Sequence, residues 1–157
     1  MARPLRYEAA GAVYHVMARG DGGKPVFEDD KDRYGWVDLM ERACGSFGWR
    51  VHAWVLMGNH FHALLETPEP NLVTGMKWVL GVFSQGWNRR RGRRGHVFQG
   101  RYKALHVEPG HALAQVAHSI HLNPVRAKIL PAERLIGHRW SSLPLFAGKN
   151  RPACLEA

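Results

Sequence analysis

The apolar residues Tyr34, Val37, Leu39, Met40, Ala43, Cys44 and Phe47 recur at helical spacing behind an acidic start. They predict a first helix over residues 29–47, with Gly48 suited to stop it. Before it, residues 12–18 (AVYHVMA) have the composition of a β-strand and run into RGDGGKP, a stretch of turn formers. After it, RVHAWVLMGNHFHALLE reads as two strands, 50–57 and 60–66, joined at Gly58-Asn59, a pair that tolerates the positive φ of a tight hairpin turn. A second helix is predicted over 72–88, where Leu72, Met76, Val79, Leu80 and Phe83 share a face, although Gly75, Gly81 and Gly86 lower its intrinsic helicity. Short strand segments follow at the ends of HVFQGRYKALHVE. Residues 111–122 then form a third helix that Asn123-Pro124 should end or kink, because the residue before a proline avoids the α region. The order β-α-β-β-α-β-α with hairpin pairing predicts an α+β fold, an antiparallel β-sheet with helices packed on it.

At 157 residues, with 45% hydrophobic and 10% aromatic content, the chain is long and apolar enough for one packed domain spanning residues 1–157. No internal repeat is visible. The one biased stretch, NRRRGRRG, predicts an exposed, mobile basic linker near residues 89–95, and a C-terminal tail is expected from about residue 131.

Charge narrows the partners. With 22 Lys and Arg against 13 Asp and Glu, the formal charge is +9, which points to a polyanion. Most of the excess is Arg, whose planar fork grips phosphate oxygens and stacks on bases, so nucleic acid is favoured over a membrane surface. No window approaches the roughly 18 apolar residues of a spanning helix, and MARPLRYEAAG lacks the apolar core of a signal peptide. A cytoplasmic, nucleoid-associated protein with no membrane partner is expected. Only Cys44 and Cys154 occur, without CxxC spacing, so neither a disulfide framework nor a thiolate zinc site is indicated, and Cys44 reads as a core residue.

Candidate chemistry begins at His60-Phe61-His62. Strand side chains alternate faces, so the two imidazoles project to one side and could share a metal ion, or could be packed or surface histidines. On the third helix Ser119 and Asn123 are four residues apart and share a face, so a helix laid over the histidines could deliver an amide ligand and a nucleophile together. Arg89, Arg90, Arg91, Arg93 and Arg94 read either as a solvated loop or as phosphate contacts. The second is preferred, because the run adjoins motif-bearing sequence, and Arg19, Lys103 and Arg126 are further candidates for DNA contact. Trp54, Trp78, Trp87 and Trp140 could stack bases, with core packing the commoner role. His15, His52, His96, His106, His111 and His138 show no shared-face spacing with the pair and read as packing or surface residues, while His121 is expected to face away from the ion.

Five segments carry a resemblance: YHVMARG at 14–20, VHAWVLMGNHFHALLE at 51–66, FQGRYKA at 98–104, IHLNPVRA at 120–127 and RWSS at 139–142. In this order, over residues 12 to about 142, they resemble the REP-associated tyrosine transposases, within the HUH class of single-strand DNA transposases. The resemblance implies a ferredoxin-like HUH fold. It implies that His60, His62 and Asn123 hold a divalent ion, magnesium or manganese, against the scissile phosphate, with no nucleotide cofactor. It implies that a tyrosine one turn before the asparagine attacks phosphorus to give a 5′-phosphotyrosine and a free 3′-hydroxyl. The chain departs from the family there: the motif Tyr-Ile-His-Leu-Asn-Pro reads Ser119-Ile120-His121-Leu122-Asn123-Pro124. A serine hydroxyl has a higher pKa and shorter reach than a phenol and needs a base, and His118 points about 100° away around a helix. Tyr102 is read as structural or DNA-facing, because family members carry a tyrosine there besides the catalytic one. The implied function is nicking and rejoining of single-stranded hairpin DNA, by a monomer or homodimer. The alternatives are a non-catalytic, sequence-specific DNA-binding protein on the same scaffold and a nuclease whose ion activates water.

Overall fold

The computed structural model describes residues 8–127 and 140–142. Its elements are β1 (Ala12–Arg19), α1 (Asp30–Phe47), β2 (Arg50–Leu56), β3 (His60–Thr67), α2 (Leu72–Arg91), β4 (Lys103–Val107), α3 (His111–His121) and the single turn α4 (Asn123–Arg126). The strands form one sheet in the order β2-β3-β1-β4, every neighbouring pair antiparallel, so the expected α+β architecture is the one observed.

Strand alternation gives the sheet two different faces. On one, Ala12, Tyr14, Val16 and Ala18 of β1 join Phe61, Ala63 and Leu65 of β3 beneath α1 and α2, forming the larger core. On the other, Val13, Ala53, Val55, Leu64 and Val107 meet Ile120 and the apolar side of α3. Among the described residues, α1 and α2 thus anchor one face, and α3 lies on the other beside the histidines.

Local chemistry sets the helix ends. Asp29 and Asp32 make a reciprocal capping box at the start of α1, and Gly48 ends the helix in the left-handed region (φ 73). Asp32 is fully buried and also receives Arg90 and Arg91, whose donation, with that of the Glu28 backbone N–H, outweighs burial and holds its pKa below the usual carboxylate value. Those pairs correct the expected linker: residues 89–91 are the last turn of α2. Gly92 (φ 61) caps it, and the Arg91 guanidinium lies 4.1 Å from the Trp87 ring centroid. Gly75, counted against this helix, is where Trp49 packs, since a Cβ there would lie 2.1 Å from the indole. The other tryptophans pack as expected: Trp54 and Trp87 are buried, Trp78 sits under Arg42 and Trp140 against Tyr34.

Part of the expected C-terminal tail is sheet-bound. Leu56 N donates to Trp140 O at 2.8 Å and Ser142 N to Trp54 O at 2.9 Å, so residues 140–142 run along β2. His138, Arg139 and Cys154 lie outside the described residues.

Candidate active site

Register brings the site together. In the β1–β3 ladder Arg19 faces His60 and Met17 faces His62, while Met17 also faces Lys103 of β4, so Arg19, Lys103 and both histidines share the α3 side of the sheet. The imidazoles of His60 and His62 stand 5.0 Å apart between centroids at 88°, and Phe61 points into the opposite core. Arg19 folds back over the turn after β1, where a side chain on Gly23 (φ 74) would sit 3.2 Å from its guanidinium.

The third helix reaches the pair through its end. Pro124 has no N–H to continue the ladder, so α3 stops at His121 and α4 begins at Asn123. The expected continuous face from Ser119 to Asn123 is therefore broken at Leu122. The Asn123 side chain nonetheless comes close enough to His60 to act on its pKa, and Arg126 Nη1 donates to Ser119 Oγ at 2.9 Å, tying the two turns together. His121 points away from the pair, as expected: its Nε2 lies 2.6 Å from Ser142 Oγ, which in turn accepts from the Trp54 backbone N–H at 2.8 Å. The end of α3 is thus fastened to the edge of the sheet.

Two neighbours of the histidines escape sequence inspection. His15 Nε2 lies 2.9 Å from His62 Nδ1, and Asn59 Oδ1 lies 2.7 Å from His60 Nδ1. His15 is a diagonal neighbour across β1 and β3, a relation that exists only once register is set. Asn59 had a signal, its place in the hairpin turn beside His60, but it read as turn chemistry alone.

Burial, above all, lowers the pKa of both histidines. For His60 the Arg19 charge adds to the effect and the neighbouring Asn123 amide opposes it; His62 falls to about 3, helped by His15 and His60. Neutral imidazoles are the form that ligates metal. No group of three or more His, Cys, Asp and Glu side chains is arranged for a metal ion among the described residues. A cation here would rest on two imidazoles and the Asn123 amide, a neutral N/O donor set that suits a divalent ion.

The other predicted residues separate. Lys103 and Arg126 are exposed beside the site, whereas Arg90 and Arg91 are engaged with Asp32, and Arg93 lies 3.7 Å from Glu28. Arg89 and Arg94 are exposed near the end of α2. Tyr102 packs against the α1–α2 core, the face opposite the histidines. His118 is exposed next to Ser119.

An α+β sheet carrying two histidines on one strand under a helix end defines the HUH class of fold. The chain matches the family described as "Transposase IS200 like" over residues 9–122, and it belongs to that family. Among solved structures it is similar to a REP-associated tyrosine transposase bound to a REP hairpin (TM-score 0.78, 12% identity, 100% of this chain and 92% of the other). It is also similar to a candidate transposase from Deinococcus radiodurans R1 (TM-score 0.51, 20% identity, 76% and 94%). No curated protein matches by sequence. Among the described residues no helix is long and apolar enough to cross a membrane.

Proposed function

We propose that this chain binds single-stranded, hairpin-containing DNA and that its site is built for metal-assisted nicking and rejoining, with Ser119 at the position of the nucleophile. The observation that carries the reading is the convergence of two imidazoles on one face of β3, 5.0 Å apart between centroids, with the Asn123 side chain at the start of α4 close enough to act on His60. His60, His62 and Asn123 would hold the divalent ion, magnesium or manganese. When bound, the ion supplies positive charge against the non-bridging oxygens of the scissile phosphate. Arg19, Lys103 and Arg126 border the site and would grip flanking phosphates, while the exposed Arg89, Arg93 and Arg94 extend the basic surface.

A non-catalytic DNA-binding role on the same scaffold is the second reading, and it too has a specific support. Ser119 Oγ accepts from Arg126, a guanidinium that cannot take its proton. The deciding experiment is a denaturing gel of hairpin DNA incubated with manganese and either the chain itself or Ser119→Tyr. Nicking with a covalent protein–DNA adduct from Ser119→Tyr alone is the expected result and leaves the chain itself as the binding form. An adduct from the unaltered chain would make Ser119 a working nucleophile. Nicking by both without any adduct would instead support water attack, and no nicking by either would overturn the catalytic reading.

A further inference from the structure

We propose that Asn59 and His15 are positioning residues that hold His60 and His62 in the tautomer carrying the proton on Nδ1, which leaves both Nε2 lone pairs for the ion. The inference rests on the metal reading above and adds two residues that it does not contain.

For His60 the hydrogen-bond pattern fixes the proton. Asn59 Nδ2 donates to the Gly23 carbonyl at 3.3 Å, and a carbonyl oxygen only accepts, so the amide has one permitted orientation. Its Oδ1 therefore faces His60 Nδ1 at 2.7 Å, and because Oδ1 also only accepts, Nδ1 carries the hydrogen. The turn that holds Asn59 is itself pinned, since Asn59 O accepts from Gly20 N at 2.7 Å.

For His62 the partner is another imidazole, and a single proton lies between His62 Nδ1 and His15 Nε2 at 2.9 Å. A proton on His15 would oblige a neutral His62 to carry its own on Nε2, withdrawing that lone pair. With the proton on His62 Nδ1, the two histidines of β3 present the same nitrogen. The supports come from different elements, Asn59 from the hairpin turn and His15 from β1, so each can be removed alone. Ligating histidines generally depend on such a partner for the other ring nitrogen, and losing it typically weakens metal affinity by about 10- to 100-fold.

The test is long-range 1H–15N NMR of the imidazoles in the metal-free chain at neutral pH, paired with manganese calorimetry. Both His60 and His62 should show Nδ1–H. His15→Phe should move His62 toward Nε2–H, leave His60 unchanged and weaken manganese binding by about 10- to 100-fold; His15→Gln, which keeps an acceptor, should recover part of that loss. Asn59→Ala should do the same to His60, and Asn59→Asp should not. Backbone amide spectra report whether each variant folds, and if His15→Phe does not, His15→Gln and the Asn59 pair decide. Nε2–H on His62 in the unaltered chain, or tautomers indifferent to both substitutions, would overturn the proposal. If the unaltered chain binds no manganese, the metal reading falls, while the tautomer spectra still judge the orienting role by themselves.

Discussion

His121 illustrates what a single buried group does to the behaviour of the whole chain. It is 8% exposed against Ser142, and burial first, then the nearby His118, lower its pKa to about 4. A folded-state pKa below the unfolded value near 6.5 means that the neutral form is favoured by folding. The associated stability is complete above about pH 7 and is lost as pH falls through 6.5 toward 4. His15, His60 and His62 act in the same direction. Urea midpoints at pH 7.5 and 5.5 should therefore show a drop, of which His121 contributes on the order of 1 kcal/mol. His121→Gln should reduce that drop without abolishing it, and an unchanged pH dependence would contradict a neutral, buried His121. At this scale Asn123 was visible through its spacing from Ser119 and the family motif, and the shared face of His60 and His62 was legible because alternation along a strand is local. His15 was not, because a diagonal contact between strands 47 positions apart depends on register.

Among the elements, α2 shows that a glycine can serve packing in one place and cost stability in another. Gly75 admits the Trp49 ring, so Gly75→Ala should destabilise by about 1–3 kcal/mol through overpacking, despite the better helix propensity of alanine. Gly81 has nothing within 4 Å of a prospective Cβ, and Gly81→Ala should stabilise by up to about 1 kcal/mol. Thermal or urea unfolding of the two variants checks both signs. The helix was legible from its apolar face, but its true end was not. Arginines that read as a linker continue α2, because Asp32 lies where Arg90 and Arg91 can pair with it, across 58 and 59 residues of sequence.

For the whole molecule, the charge of +9 is unevenly available. On the DNA-binding reading, Arg19, Lys103 and Arg126 beside the histidines carry the phosphate contacts, while Arg91 is neutralised by Asp32 and Glu28. Affinity for hairpin DNA should fall steeply with salt, and Lys103→Gln should reduce the log–log slope by about 0.7, the increment for one single-strand phosphate. Arg91→Gln should leave the slope almost intact and lower the urea midpoint, because it leaves the buried Asp32 short of a partner. Equal slope losses for the two variants would show that Arg91 faces DNA instead.

The sequence alone determined the periodic elements, the antiparallel α+β class, the basic character and the pairing of His60 with His62. Each follows from interactions between residues a few positions apart, or from composition. Tertiary structure decided which face each helix covers, that Asn123 reaches His60, that Asn59 and His15 take up the other nitrogens of the histidine pair, and which arginines remain exposed. Those outcomes depend on strand register and on where buried charges find partners. Both are set by the summed packing of the sheet and its two cores, and local propensity carries no record of them.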